Sequence, residues 1–245
     1  MKTSKEYKNI ALAALEGNWG TAAAMIFIYF VIGAVVPQVG SPFGATASTT
    51  VSVGVSILSL PLEFAAIVAF LKLLRSGEIR ALDVFAYFSN GKAWLLEFLK
   101  DLYVLFWILP IILFLCFMMV PAMAMDSLID STVPETLVAS VAIGCSILII
   151  IIAAWRNYHY CLSEFIMLDN PELGANAAID QSIKMMKGMK WKMFMLDLSF
   201  IGWGILALLT LGIGFILLLP YVNSAHAAFY EDLKAEETLT EQPQP

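Results

Sequence analysis

Three stretches of this chain, Thr21–Val36, Leu137–Trp155 and Ile201–Ala225, contain no Asp, Glu, Lys or Arg. A helix needs about 20 apolar residues to cross a hydrocarbon layer of ~30 Å, within a range of ~17–25. Inside that layer the backbone has to satisfy its own polar groups, which favours helices. Of the 245 residues, 60% are hydrophobic and 14% charged, against about 25% charged in a typical soluble domain. One soluble core cannot hold that much apolar surface. The sequence therefore predicts an all-α, polytopic membrane bundle.

Six spans fit the apolar runs, at about 20–36, 51–74, 94–120, 136–158, 191–209 and 213–230. They make a single membrane domain over residues 1–233, followed by an acidic tail, 234–245, expected to be disordered. The last two spans are separated by length: Trp191 to Tyr230 as one helix would measure ~60 Å, about twice a bilayer. Thr210-Leu211-Gly212-Ile213-Gly214 is accordingly expected to be a tight outer turn. The outer loops are expected at Pro37–Thr50 and around Asp126, Asp130 and Glu135.

Orientation follows from the 14 Lys and Arg. Three precede span one, five lie between spans two and three, five between four and five, and one follows span six. The outer loops have none, which places both termini in the cytoplasm. The first apolar run is read as a retained span that also serves as targeting signal, since Glu6 and Glu16 precede it and Pro37 follows.

Short amphipathic helices are expected on the cytoplasmic side. Thr3 and Glu6 fit a capping box for the first, which presents Tyr7, Ile10, Ala11 and Ala14 on one face and stops at Gly17. The second, Leu82–Phe88, carries the stripe Leu82, Phe85 and Phe88. The third starts with Asn170 as cap and Pro171 in the first turn, and runs to Lys187 before Gly188.

Each odd span follows such a helix, a glycine and a tryptophan: Gly17/Trp19, Gly91/Trp94 and Gly188/Trp191. Phe98-x-x-Asp101-Leu102-x4-Trp107 matches Phe194-x-x-Asp197-Leu198-x4-Trp203 at an offset of 96. Three repeated helical hairpins explain this. So does the general placement of Trp at membrane interfaces and Gly at helix ends.

No catalytic motif is present: there is no G-x-S-x-G, H-E-x-x-H or P-loop. Cys116, Cys145 and Cys161 read as free thiols without metal-ligand spacing, and His159 and His226 stand alone in sequence. The chain is expected to be no enzyme, with no cofactor, no metal and no catalytic residue. The net charge of −6 is concentrated in Glu231–Pro245, which alone carries −4, so nucleic acid is not indicated as a partner.

Three carboxylates in apolar sequence are the polar candidates: Glu63 mid-span beside Pro61, and Asp101 and Asp197 about two turns into their spans. A carboxylate in a membrane faces a partner or water. It can bind a proton or cation, or it can hold helices together by accepting hydrogen bonds. For Glu63 both stay open; for Asp101 and Asp197 the helix-holding role is favoured. The expected membrane-interface residues are Trp19, Trp94 and Trp191, with Lys184, Lys187, Lys190 and Lys192 placed to meet anionic lipid head groups. The methionines at 185, 186, 189, 193 and 195 read as pliable packing.

The stretch Leu168-Asp169-Asn170-Pro171-Glu172-Leu173-Gly174 is followed by Ala177-x4-Ser182-x3-Met186-Lys187-Gly188 and Asp197-Leu198-Ser199-Phe200-Ile201-Gly202-Trp203. With Leu208–Phe215, Pro220-Tyr221, Ala228–Leu233 and Gly17-Asn18-Trp19-Gly20, this resembles domain-of-unknown-function family 975. The resemblance implies a multi-pass protein of the bacterial cytoplasmic membrane. It also implies a distant similarity to the membrane-embedded part of some glycerophosphodiester phosphodiesterases. It brings no activity and no site residues.

The functional expectation is a non-enzymatic membrane module that interacts with lipid or with another membrane protein. The alternative is a small transporter or channel using Glu63.

Overall fold

The computed structural model describes residues 1–35, 38, 45–126 and 135–241. Those residues are helical and contain no strand. Ten α-helices follow in order: α1 Ser4–Leu15, α2 Trp19–Phe30, α3 Ala45–Ser76, α4 Gly91–Asp126, α5 Glu135–Tyr160, α6 Ser163–Asp169, α7 Ala175–Met185, α8 Lys190–Leu198, α9 Ile201–Leu209 and α10 Phe215–Glu241. A π-turn, Val31–Val35, extends α2, and a 3-10 turn, Ala81–Phe85, precedes α4.

Helix α1 begins as its sequence dictates. The Glu6 carboxylate accepts the Thr3 N–H at 2.6 Å, while the Glu6 N–H donates to the Thr3 hydroxyl at 3.4 Å. Tyr7, Ala11 and Leu15 are buried, with Ile10 and Ala14 half-buried beside them. Gly17, with φ +80, takes the left-handed conformation that ends the helix. The chain then bends by 97° into α2.

Four helical segments are long and apolar enough to cross a membrane: 48–76 in α3, 91–116 in α4, 140–169 in α5 and α6, and 190–209 in α8 and α9. The bent pair α1 and α2 raises the count to five. The segment in α3 is more than half buried inside the protein, whereas the apolar window of α5 contributes nothing to the interior. The buried core gathers at one end: α1 against α10, the second half of α3, the first turns of α4, and α6 to α8. Beyond it Phe106, Leu113, Ile143 and Ile150 stand exposed, as surfaces that face lipid do.

The expected turn after α9 is present. Leu211 and Gly212 have φ +55 and +87, and the Thr210 hydroxyl donates to the Ala207 carbonyl at 2.7 Å. A Cβ on Gly214 would lie 2.7 Å from the Ala207 Cα, so only glycine lets α10 leave that close to α9.

Several expectations need correction. Helix α7 starts at Ala175, not at Pro171. Asn170, kept out of the helical region by the proline that follows, instead ends α6, and its Nδ2 donates to the Ile166 carbonyl at 3.1 Å. Leu82, Phe85 and Phe88 are exposed, and Val84 anchors the 3-10 turn by full burial. The fifth apolar run is interrupted at Ser199 and Phe200, whose N–H groups bond three residues back, to Leu196 and Asp197. Helix α3 begins at Ala45, inside the stretch expected as loop. Helix α10 continues to Glu241, so the tail is ordered well past Lys234; 242–245 lie outside the described residues, as does Asp130.

Candidate functional site

A groove of about 700 Å³ opens between α1, α2, α9 and α10. Leu12, Trp19, Trp203, Leu206, Leu217 and Tyr221 are among the residues that wall it, and Thr210 and Gly214 lie at its turn end. The Thr210 hydroxyl is engaged locally: it donates to Ala207 and accepts the Gly214 N–H at 2.8 Å. The walls therefore offer a ligand almost no polar group. The Trp19 and Tyr221 rings meet edge-on at 6.4 Å, and Tyr221 meets Phe200 at 4.9 Å. Over Phe200 sits the Lys8 ammonium, 5.4 Å from the ring centroid. Lys8 lies one helical turn before Leu12, on the same face of α1. The Lys8 ammonium also donates to the Ser199 carbonyl at 3.4 Å.

The second feature is polar and internal. Lys100, on α4, is buried between two buried carboxylates, Glu97 one turn earlier and Glu164 on α6. Its ammonium donates to Glu97 Oε2 at 2.8 Å and to Glu164 Oε1. Ser163 donates to Glu164 Oε2 at 3.3 Å. Among the described residues, Glu97 Oε1 is buried without a partner. Glu63 is exposed on α3 yet densely surrounded, within electrostatic reach of Lys100, Glu164 and Asp101. The Tyr29 phenol of α2 senses the same groups.

The two aspartates occupy different settings. Asp197 is half-buried, accepting from the Tyr158 hydroxyl at 2.8 Å and pairing with His226 Nε2 at 2.6 Å, so it joins α8 to α5 and α10. Asp101 is exposed, and the electrostatic partner it meets is Lys100. An exposed Asp101 corrects the expectation that both face the interior and hold helices: the matching flanks do not give matching depths of burial.

Trp19 and Trp94 are half-buried and Trp191 is exposed; the Trp94 Nε1–H donates to the Phe88 carbonyl at 2.9 Å. Lys184, Lys187 and Lys192 are exposed, while Lys190 is half-buried against His159 Nε2. Among the described residues no group of three His, Cys, Asp or Glu is arranged to hold a metal ion.

Sequence reasoning missed Glu97, Lys100 and Glu164. One signal was available, the Glu97-x-x-Lys100 spacing at the apolar start of α4, where residues three apart are neighbours. The link to Glu164 spans 64 residues and has no local signature.

Outside the apolar spans, two carboxylates tie the helix ends together. Asp169 accepts both Nη atoms of Arg75, at 2.5 and 2.9 Å, the Tyr230 hydroxyl at 2.7 Å and the Lys234 ammonium at 2.6 Å. Asp232 accepts from the Tyr7 hydroxyl at 2.6 Å, the Lys2 N–H at 2.9 Å and the Lys2 ammonium at 2.7 Å. Burial opposes ionisation of Asp232, but the bonds from Lys2 and Tyr7 outweigh it and lower its pKa from 3.8 to about 2. Burial first, then the Asp232 charge, lifts the Tyr7 phenol well above its ordinary range.

No curated protein and no solved structure matches the chain. The family described as protein of unknown function (DUF975) matches residues 1–237. Asp169, Asn170, Tyr230 and Asp232, among the residues that carry the resemblance, belong to the cross-links that fix α6 and α10, and the chain belongs to that family.

Proposed function

We propose that this protein is a non-enzymatic membrane module that holds a phospholipid in the groove between α1, α2, α9 and α10. The observation that carries the proposal is the apolar groove of about 700 Å³ with Lys8 beyond one end. The acyl chain lies against Leu12, Leu206 and Leu217, and the head-group phosphate meets Lys8. The exposed Lys184, Lys187 and Lys192 add attraction to anionic lipid, about 1 kcal/mol for each basic residue near the surface. A partner membrane protein at the same face is the competing occupant.

The proposed setting is the bacterial cytoplasmic membrane, crossed six times with both termini inside. α10 supplies the sixth crossing through its apolar half, before Glu231. Three hairpins, α2 with α3, α4 with α5, and α8–α9 with α10, make the proposed repeat. Its support is the short helix or turn before each one and the left-handed glycines at 17 and 188.

Detergent-purified protein, washed and measured by native mass spectrometry, is expected to retain phospholipid. Leu206→Trp, which fills the groove from an exposed position, and Lys8→Glu are expected to reduce retention. Equal retention in both variants and the wild type would refute the lipid reading. Transport through Glu63 is the second reading, favoured by its accessible position beside Lys100. A proton-coupled flux in liposomes that Glu63→Gln abolishes would replace the first reading with this one.

A further inference from the structure

We infer that Glu97 is a proton-binding site and that its Oε1 holds the proton. Two observations support this. Glu97, Lys100 and Glu164 together place two carboxylates and one ammonium inside the protein, all buried. With both acids ionised the group carries a net negative charge away from water, which low-dielectric surroundings strongly disfavour.

The two carboxylates are not equivalent. Glu164 has Lys100 on Oε1, and its Oε2 lies 3.3 Å from the Ser163 hydroxyl, which also donates to the Tyr160 carbonyl at 2.6 Å. Glu97 has Lys100 on Oε2 at 2.8 Å, and its buried Oε1 has no partner among the described residues. A proton on that oxygen removes the negative charge that is otherwise buried there. A neutral carboxylic acid there still accepts from Lys100 through Oε2, so the ion pair of Lys100 with Glu164 is kept.

Glu63, on α3, acts electrostatically on Glu97, Lys100 and Glu164. Of the other neighbours, Asp101 acts on Lys100 and Glu63, Tyr29 of α2 feels the same charges, and Cys161, between α5 and α6, faces Glu164 and Lys100. Helix α7 packs on α4 with its charged Asp180 and Lys184 turned out. Lys100 is therefore the cation at the centre of the group.

Infrared difference spectroscopy on the full chain in lipid nanodiscs tests this. At neutral pH the protein is expected to show a carboxylic-acid carbonyl stretch that shifts in deuterium oxide and is missing in Glu97→Gln. Glu63→Gln is expected to keep the band. Because Glu97→Gln retains the shape and neutrality of the acid, it is expected to fold and to melt no lower than the wild type. A missing band in the wild type, a band that survives in Glu97→Gln, or a strong loss of stability in that variant would each overturn the proton site. A band that is lost in Glu63→Gln would overturn its assignment to Glu97.

Discussion

Replacing Asp232 with Asn tests how the two ends of the chain are joined. In the folded protein its carboxylate accepts from Tyr7 at 2.6 Å and from Lys2 at 2.7 and 2.9 Å, and its side chain is only 11% exposed. A folded-state pKa of about 2, against 3.8 for the free side chain, corresponds to roughly 2.4 kcal/mol at ~1.36 kcal/mol per pKa unit. Lys2 is exposed, and screening at such a rim site reduces the expected value to about 1 kcal/mol. The sign follows from the depressed pKa. The stabilisation is complete above the unfolded value of 3.8 and is lost as pH falls through about 2. Asp232→Asn is therefore expected to unfold about 1 kcal/mol more easily at pH ~7, with the difference shrinking below pH ~4 and vanishing near ~2. The assay is denaturant unfolding of detergent-solubilised protein, wild type and variant side by side across that range. Equal stability at neutral pH, or a difference that persists unchanged to the acid limit, would refute the reasoning.

Other outcomes follow from the same structure. Lys100→Met strands Glu164 without its cation and is expected to cost about 3–5 kcal/mol, read as a collapse in detergent unfolding. A wild-type unfolding curve would refute the buried pairing. Asp197→Asn weakens contacts to Tyr158 and His226, with a loss of roughly 0.6 and at most ~1.7 kcal/mol; unchanged stability would deny it a helix-joining role. Gly214→Leu drives a side chain into the Ala207 backbone and is expected to destabilise by about 1–3 kcal/mol, seen as a lower melting temperature. For topology, cysteines at Asn90 and Asp180 are expected to resist impermeant labels from outside and one at Gly212 to react; outside labelling at Asp180 would overturn the orientation.

Elements set by local rules were legible in the sequence, and those set by distant contacts were not. The Thr3–Glu6 cap, the stops at Gly17 and Gly188 and the turn around Gly212 depend on neighbours within a few residues, and all are present. The uncharged runs marked α2, α5 and α9 because hydropathy is additive along the chain. The interruption at Ser199 and Phe200 escaped it, because its i→i+3 bonds leave no compositional mark. Residues Leu82–Phe88 show the limit of periodicity: a helical stripe was read where a 3-10 turn rests on Val84 alone. Lys100 misled for a physical reason. From sequence it is a positive charge at the cytoplasmic end of a span, and only the approach of α6 turns it inward onto Glu164. His226, unremarkable in sequence, acquires a role only when α10 comes to rest beside Asp197.

The bond between Tyr7 and Asp232 also sets a timetable for making the protein. The two residues are 225 positions apart, so at ~5–20 residues per second α1 leaves the ribosome roughly 11–45 s before its partner helix exists. Throughout that interval Tyr7, Ala11 and Leu15 have no α10 to cover them, and the membrane surface is the nearest apolar refuge. A chain halted before α10 keeps that face without its partner helix. Docking of α1 therefore waits for the synthesis of α10, whatever the order in which the helices between them settle.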